Sequence, residues 1–490
     1  MRISDPAAGS ARRRSGTRRA GPGGMRRAGR QRELLVSGVV DSFGMALGWT
    51  VIILMATSRG GLAEAALYNA AMLGGVVLSA PVTGWLSRRM NGRTLLRSAA
   101  CVEMVLRLAV LWGLVAGAPS ELVALGIAAM HVAAWAGFAG MRAEVTAVDA
   151  SPRAMTKYAV SIAGVEATGT ALAALLPTSA AGHPTGWLLG TVFAIYLGSL
   201  VPTILTARRA RITPDGPQPY PAGTSGQFGS VPRIYTHAEA VNTRGLPTPS
   251  PVLVSAAANV GASVGFVPSP TGAHVAAVPG SAGRRRAAIR GRHAAPTGTP
   301  ETRRMPSPRL LIAGGAVMLI AAGPTLLAVP LTAELHGAHW VAGAAVAFSL
   351  GTLLSTSAVA IVGRLQLPAV LRWSLWGLGM LAGWILAPLF APMVLVAQFV
   401  AGLCQTAFEG DMDARVAAEA RPAAVTRDLA YSASIRALGG SISVRLLPLL
   451  VTASAIGTAA SVAALLLGIT TVIIWAGLTL APHLFRRLAH

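Results

Sequence analysis

Among the ionisable residues inside long apolar stretches of this sequence, where water is not available to solvate a charge, are Asp41, His131, Glu166 and Arg436. A charge at the centre of a bilayer costs about 2.5–3.5 kcal/mol even on the most lenient scale, so such residues are rare and mark functional sites. A carboxyl or an imidazole group there can bind and release a proton. A carboxylate together with a guanidinium can hold a polar or zwitterionic ligand.

Asp41 and His131 each allow two interpretations. Asp41 lies about a third of the way along its apolar stretch, so it is either a proton acceptor or a structural carboxylate paired near the membrane surface. His131 lies in the middle of a later stretch, and histidine is the side chain that titrates nearest neutrality. The alternative is that His131 is a hydrogen-bonded side chain with a packing role only. Both residues are therefore candidates for proton coupling.

The composition places these residues in a polytopic membrane protein. The chain has 490 residues, of which 53% are hydrophobic and 12% are charged, with a formal net charge of +23. Soluble globular chains usually carry about 25% charged residues. The positive charge lies in the N-terminal tail and between the apolar stretches, as in membrane proteins, so we predict no nucleic-acid partner.

Twelve stretches are long enough to cross a bilayer as helices, since a crossing needs about 20 mostly apolar residues. The predicted fold class is therefore all-α, with twelve transmembrane helices in two pseudo-symmetric halves of six. The predicted spans are 34–57, 62–86, 96–117, 121–141, 155–177, 186–206, 309–332, 340–363, 369–388, 390–409, 425–450 and 458–482.

The arginines between the spans predict the orientation. Loops that follow even-numbered spans are basic, whereas loops that follow odd-numbered spans lack Lys and Arg, with Arg59 as the exception. Basic loops stay on the cytoplasmic side. Both termini are therefore predicted to be cytoplasmic, in a multi-pass protein of the cell inner (plasma) membrane.

Two long segments differ in composition from the spans. They are rich in Gly, Ala, Pro, Ser and Thr and contain arginine clusters such as GRRRAAIRGRH at 283–293. Such segments bury too little apolar surface to fold, and their arginines are expected to contact anionic lipids, or alternatively a partner molecule. The predicted domains are a disordered basic tail at 1–33, a six-helix half at 34–206, a disordered cytoplasmic linker at 207–308, a second half at 309–484 and a tail at 485–490.

The two halves match each other at an offset of 270 residues. VDASPRAMTKYAVSIAGVEATG at 148–169 aligns with AEARPAAVTRDLAYSASIRALGG at 418–440, so Gly169 falls on Gly439. Duplicated halves around a midplane site are the architecture of many secondary transporters. In this alignment Glu166 and Arg436 occupy equivalent positions, each deep in its span. They are predicted to line a substrate cavity, or alternatively to form separate ion pairs with other partners.

Other charges are interpreted as structural. Glu103 and Arg107 are one helical turn apart and can neutralise each other. Glu409, Asp411 and Asp413 are predicted to form a solvated helix end paired with Arg415. No signature of a metal site, a cofactor site or a catalytic nucleophile is found, so we predict no metal, no cofactor and no enzymatic activity.

The stretch GWLSRRMNGRTLLR at 84–97 resembles a signature of the major facilitator superfamily of transporters, Gly-x-Leu-x-Asp-Arg-x-Gly-Arg-Arg, between helices two and three. Gly84, Arg89 and Arg93 match it, and Arg88 stands where the family has Asp. The segment DSFGMALG at 41–48 resembles the first helix of bacterial drug or metabolite exporters in that family. The fifth helix lacks the family's antiporter signature.

The resemblance implies a fold and several roles. Helices one, four, seven and ten line the cavity in the family, which suits Asp41 and His131, whereas helix three is peripheral. In the family the signature Asp faces the start of helix eleven, where Asp428 lies in this chain. We therefore predict a charge swap at a cytoplasmic gate of Gly84, Arg88, Arg89, Arg93 and Asp428.

The sequence thus predicts a monomeric secondary active transporter that exports a small amphipathic organic compound by alternating access, in exchange for protons. Abundant Ala, Gly and Leu with few aromatic residues favour close helix packing and an apolar cavity wall. One alternative is an uptake symporter on the same fold. The other is a membrane scaffold or sensor that transports nothing and recruits a partner through its basic segments.

Overall fold

The computed structural model of the chain describes residues 22–87, 89–149, 152–179, 184–210, 212–213, 216–217, 307–419 and 425–488. Most of the predicted tail at 1–33, most of the linker at 207–308, the gate residue Arg88 and the last two residues of the tail at 485–490 lie outside this range. We refer to 22–210 as the N-terminal half and to 307–488 as the C-terminal half.

Apolar stretches form helices because a helix satisfies its own backbone hydrogen bonds where water is absent. In the N-terminal half the helices are α1 (Pro22–Leu86), α2 (Gly92–Val115), α3 (Ser120–Val148), α4 (Pro152–Leu175), α5 (Trp187–Gly198) and α6 (Leu200–Ala207). In the C-terminal half they are α7 (Pro308–Ala321), α8 (Gly323–Leu326), α9 (Ala328–His336), α10 (His339–Gly363), α11 (Ala369–Leu386), α12 (Pro392–Glu419), α13 (Val425–Leu450) and α14 (Ile456–Leu488), with a 3₁₀ turn at Ala453–Ala455. Between the halves, β1 (Ile212–Thr213) and β2 (Gly216–Pro217) form a short antiparallel pair.

Nine helices of the described chain are long and apolar enough to cross a membrane, by length and composition. The first of them, Gly29–Leu86, has 58 residues, enough for two crossings of about 20 residues each, and its helical geometry breaks at Gly60 and Gly61. Gly61 has a φ of 61°, a conformation that glycine adopts readily because it lacks a Cβ. Two shorter apolar helices, Val160–Leu175 and Pro308–Ala321, lie within other predicted spans.

The seventh predicted span is broken into α7, α8 and α9. Pro324 lies in the first turn of α8, where its missing N–H is tolerated but where it cannot continue the hydrogen bonds of α7. The chain then turns at Gly337, which has a φ of 94°. All of α8 and the first five residues of α9 are buried, so the break at Pro324 lies inside the protein, whereas the end of α9 from residue 333 onward is partly exposed.

Equivalent glycines of the internal repeat make equivalent contacts. A Cβ on Gly169 of α4 would lie 2.8 Å from the Phe43 carbonyl oxygen of α1. A Cβ on Gly439 of α13 would overlap the Gly315 carbonyl oxygen of α7. In both halves a glycine therefore lets the helix after the repeated linker approach the backbone of the first helix of that half.

The halves meet along α1 with α13 and α9, and along α4 with α10. We call the side that contains Gly61, Gly117, Gly337 and Leu389 the outer side, since its loops are the ones predicted to be non-cytoplasmic. Toward this side, the Ser441 hydroxyl of α13 donates a hydrogen bond to the Ala70 carbonyl oxygen of α1, at 3.0 Å. The halves are thus in direct contact there.

Candidate functional site

A buried cluster of charges connects α1, α2 and the junction of α5 and α6 in the N-terminal half. Arg107 of α2 is fully buried and donates to the Asp41 Oδ1 of α1 at 3.1 Å and to the Glu103 Oε1, one turn earlier in α2, at 3.0 Å. It also donates to the Ser199 hydroxyl at 3.0 Å, and its guanidinium lies 4.5 Å from the centre of the Tyr196 ring. We name Asp41, Glu103 and Arg107 the N-terminal charge cluster.

The N-terminal charge cluster extends the pair predicted from the sequence. Glu103 and Arg107 do pair within α2. Asp41 joins them from α1, which local spacing in the sequence cannot indicate because 66 residues separate it from Arg107. The cluster holds two carboxyl groups around one guanidinium. The Asp41 side chain is 28% exposed, whereas that of Glu103 is 4% exposed, so Asp41 is the more accessible of the two carboxyls.

His131 lies elsewhere in the same half. It is buried in α3, its Nδ1 is 2.9 Å from the Ile127 carbonyl oxygen, and its ring meets the Trp49 ring of α1 edge to face at 5.0 Å between centres. A Cβ on Gly75 of α1 would lie 2.9 Å from the His131 Cβ. The ring therefore packs tightly against α1, an environment that fits the packing interpretation as well as the proton-coupling one.

A second buried cluster lies between α12 and α13. The Arg436 Nη1 is 2.8 Å from the Asp413 Oδ1 and donates to the Glu409 carbonyl oxygen at 3.3 Å. The Gln405 amide donates to the Glu409 Oε1 at 3.3 Å. Gln405, Glu409 and Asp413 follow one another at intervals of four along α12, so they share one face. We name Glu409, Asp413 and Arg436 the C-terminal charge cluster.

The prediction of a solvated helix end is wrong for two members of this cluster. Glu409 and Asp413 were expected at a solvated helix end, but both are buried, at 0% and 1% exposed. Asp411 instead pairs with Arg372 of α11 at 2.7 Å. Arg415 does pair with an acidic residue, Glu419, one turn later. Glu409 and Asp413 are four residues apart and share one face of the helix, whereas Asp411 lies on a different face. This spacing in the sequence could have indicated that Asp411 has a different environment.

Two hydrogen-bond donors in or beside the C-terminal charge cluster are unused within the described residues. Arg436 Nη2 and the Ser432 hydroxyl are buried and, within the described residues, have no hydrogen-bond partner. They are one turn apart on α13, so they point the same way. Glu166, the repeat equivalent of Arg436, is half-buried on α4. Buried donors usually have partners, so these two mark a place where a ligand or water can bind.

A crevice of about 390 Å³ lies between α4 and α10, where the halves adjoin. Its wall is mostly apolar, with Leu350 and Leu353 on α10, and it includes the hydroxyl-bearing Thr168 and Ser349. Leu350 and Leu353 are 51% and 45% exposed, so the crevice is a groove open at the surface of the helix bundle rather than an enclosed cavity. Glu166 lies on the same helix, two residues before Thr168.

The described gate residues are split between surface and interior. Arg89 is exposed, with its guanidinium 4.4 Å from the centre of the Trp85 ring, and Arg93 is exposed in the first turn of α2. Gly84 is half-buried near the end of α1. Asp428, in the first turn of α13, is only 4% exposed. The predicted charge swap remains a prediction, because Arg88 lies outside the described residues.

No protein-family model and no curated protein sequence matches the chain. Solved structures do match it. The xylose transporter XylE from E. coli, in an inward-open conformation, is 11% identical with a TM-score of 0.55, over 92% of this chain and 95% of that one. The nucleoside transporter NupG is 10% identical with a TM-score of 0.54, over 91% of this chain and 99% of that one.

A third structure agrees with these two. A bacterial homologue of the iron transporter ferroportin, in the inward-facing state, is 14% identical with a TM-score of 0.51, over 91% of this chain and 98% of that one. At such low identity the likeness concerns the fold. The fold that the sequence resemblance implies is thereby confirmed: the chain has the fold that these three transporters share.

Proposed function

We propose that the protein is a secondary active transporter that exports a small amphipathic organic compound in exchange for protons, by alternating access between its two halves. The observation that carries the proposal is the burial of two charge clusters among membrane-crossing helices, in a fold that known transporters share. Charges buried at this cost are kept where they bind protons or ligands. Twelve crossings, with both termini in the cytoplasm of a cell inner-membrane protein, complete the proposal.

Asp41 is the proposed proton site. With two carboxyls around one guanidinium, the N-terminal charge cluster carries an excess negative charge when both are ionised, and one bound proton makes it neutral. Asp41 is the carboxyl with access to its surroundings. Proton binding to Asp41 removes its negative charge and weakens its attraction to Arg107. The contact between α1 and α2 is then weaker, so α1 can shift relative to α2. His131 and Glu166 are the alternative proton sites.

The proposed substrate cavity uses Glu166 and Arg436. Arg436 offers an unused donor beside Ser432, and the crevice next to α4 offers an apolar wall with two hydroxyl-bearing residues. We propose that both features line one transport path, whose polar and apolar parts would suit an amphipathic compound. Gly84, Arg88, Arg89 and Arg93 with Asp428 form the proposed cytoplasmic gate. The remaining basic segments are proposed to contact anionic lipid, and the working unit is proposed to be a monomer.

The test is transport by purified protein in sealed vesicles with an imposed pH gradient, using ethidium and rhodamine as fluorescent amphipathic probes. We expect probe movement against the proton flux in the wild type and loss of its dependence on the pH gradient in Asp41→Asn. Glu419→Gln is the matched control, because it removes a carboxylate from an exposed pair on α12. Gradient-driven transport that survives in Asp41→Asn would assign coupling to another residue. Probe movement in the same direction as the protons would favour a symporter.

A further inference from the structure

Glu334 lies at the outer end of the C-terminal half and contacts the N-terminal half. It belongs to α9 and follows the predicted seventh span, which ends at 332. The backbone N–H of Leu62 lies near its carboxyl group and favours the ionised form. A Cβ placed on Gly61 would be 3.5 Å from the Glu334 Oε1. An acidic side chain of one half therefore meets the backbone of the other half at the break in α1.

The contact lies at the start of a helical segment, where a negative charge is electrostatically favourable. Gly61 breaks the helical geometry of α1, so Leu62 begins a new helical segment with its first N–H groups unpaired by the helix. The N-terminus of a helix carries a partial positive charge, which attracts a carboxylate. Glu334 thus acts as a cap for a helix of the opposite half, and the cap exists only while the outer side is closed.

We propose that Glu334 is a positioning residue of the transport cycle, whose ionised carboxylate holds the outer side of the protein closed by capping the second segment of α1. This role rests on the proposed function for its place in a cycle. The neighbouring cross-half contact between Ser441 and the Ala70 carbonyl is neutral, so it does not respond to acidity. Glu334 therefore makes outer closure sensitive to the pH on that side.

The sign of the response follows from the Glu334 carboxyl. Partial burial raises its pKa above the ordinary value for glutamate, and the Leu62 N–H opposes that shift. The carboxyl is ionised well above its pKa, where the cap is at full strength. As the pH on the outer side falls through that pKa, protonation removes the charge and weakens the cap. Acid on the outer side should therefore favour opening toward that side.

Other titratable groups lie near this contact and need their own controls. On α1, Arg59 donates to the Glu64 Oε1 at 2.7 Å and to the Tyr68 hydroxyl oxygen at 2.6 Å, so these three form a cluster within one half. On α9, the His336 Nε2 is 2.8 Å from the Ala387 carbonyl oxygen. His339 of α10 lies close to Gly337.

The experiment measures how far apart the two halves lie on the outer side. Nitroxide labels are placed at Ala116→Cys, after α2, and at Ser454→Cys, before α14, both exposed in the structure. The native cysteines are first replaced by Cys101→Ala and Cys404→Ala. Pulsed electron paramagnetic resonance then gives the distance distribution of the full chain in lipid nanodiscs, without any transported compound.

We expect the long-distance population to grow when the wild type is moved from neutral to mildly acidic buffer. Glu334→Gln should raise that population about two- to fivefold at neutral pH, the effect expected of one charge at a helix end, and should remove the pH response. Glu121→Gln is the matched control, since it removes an outer carboxylate that lies in the first turn of its own helix, α3. His336→Gln and His339→Gln should keep the response.

Equal populations in Glu334→Gln and the wild type at every pH would overturn the proposal. If Glu334→Gln does not fold, Leu62→Pro tests the same contact from the other side, because proline is tolerated in the first helical position and has no N–H. Unchanged distances in a folded Leu62→Pro would equally overturn it. A pH-dependent distance without transport of any probe would contradict the proposed function only, whereas transport with an unresponsive distance would contradict the role of Glu334.

Discussion

A glycine at equivalent places of the repeat makes a close helix contact in each half, but the two halves bury their charges in different places. In the N-terminal half, Arg107 of α2 forms ion pairs with Asp41 of α1 and with Glu103 of its own helix. In the C-terminal half, Arg436 of α13 gathers Asp413 from α12. The repeat equivalent of Arg436 is Glu166, so the ion pair of the C-terminal cluster has no copy in the N-terminal half.

This difference indicates how a duplicated fold can serve two tasks. The glycine contacts that set helix spacing are repeated, because both halves must pack their helices in the same way. A buried charge adds nothing to that packing and carries a desolvation cost, so it is expected only where a function needs it. We therefore infer a division in which the N-terminal cluster serves proton binding and the C-terminal cluster serves ligand binding.

The largest predicted effect comes from Arg107→Leu. The substitution leaves two carboxyls in a buried site without their cation, and removal of one partner from a buried ion pair costs about 3–5 kcal/mol. We expect a strong fall in the thermal unfolding midpoint in detergent. Adding Glu103→Leu should recover part of it, since the double variant buries one carboxyl fewer. A midpoint equal to that of the wild type would show that the cluster contributes nothing to stability.

Arg436→Leu should have a smaller effect in the same measurement. Asp413 would lose its ion pair, so a cost toward the lower end of about 3–5 kcal/mol is expected, partly recovered by Asp413→Leu. Because this cluster is assigned to ligand binding, the conservative Arg436→Lys should fold normally yet lose probe transport. Normal transport in folded Arg436→Lys would remove Arg436 from the substrate cavity.

Substitutions of Gly169 and Gly439 test the close helix contact that occurs in both halves. Gly169→Ala and Gly439→Ala should each destabilise the protein by about 1–3 kcal/mol, since both place a methyl group against backbone. Gly439→Ala should cost more, because its clash is closer. Gly164→Ala is the matched control on α4, with nothing within 4 Å of the added Cβ, and should be neutral or slightly stabilising. Equal thermal midpoints for all three variants would contradict the shared close approach.

The smallest effect is expected at the surface of the C-terminal half. Arg415 and Glu419 pair along α12 with side chains that are 57% and 39% exposed. Such a pair is worth about 0.3–0.5 kcal/mol, and salt screens it. Arg415→Ala should therefore barely change the unfolding midpoint, in contrast to Arg436→Leu. A loss as large as that of the buried arginine would mean that exposure does not separate the two kinds of ion pair.

Some contacts were readable from the sequence because they are local. The Glu103–Arg107 pair follows from a spacing of one helical turn. Arg59, the exception to the charge pattern of the loops, pairs with Glu64 across the break at Gly61, a contact that the sequence analysis did not predict. The same reasoning separates Asp411 from Glu409 and Asp413 on α12, but it does not tell which face of the helix is buried. The packing of α12 against its neighbours buries the face with Glu409 and Asp413 and places Asp411 against Arg372.

The sequence by itself determined the helices, the internal repeat and the family-like turn at 84–97. Apolar length and turn residues act locally, and hydrocarbon leaves the backbone no alternative to helices here. Only the tertiary structure decided that Asp41 meets Arg107, that Asp413 meets Arg436 and that Glu334 meets the start of a helix in the other half. Partners distant in the chain depend on how each helix is rotated and packed. That arrangement is settled by the summed fit of many side chains rather than by any short stretch of sequence.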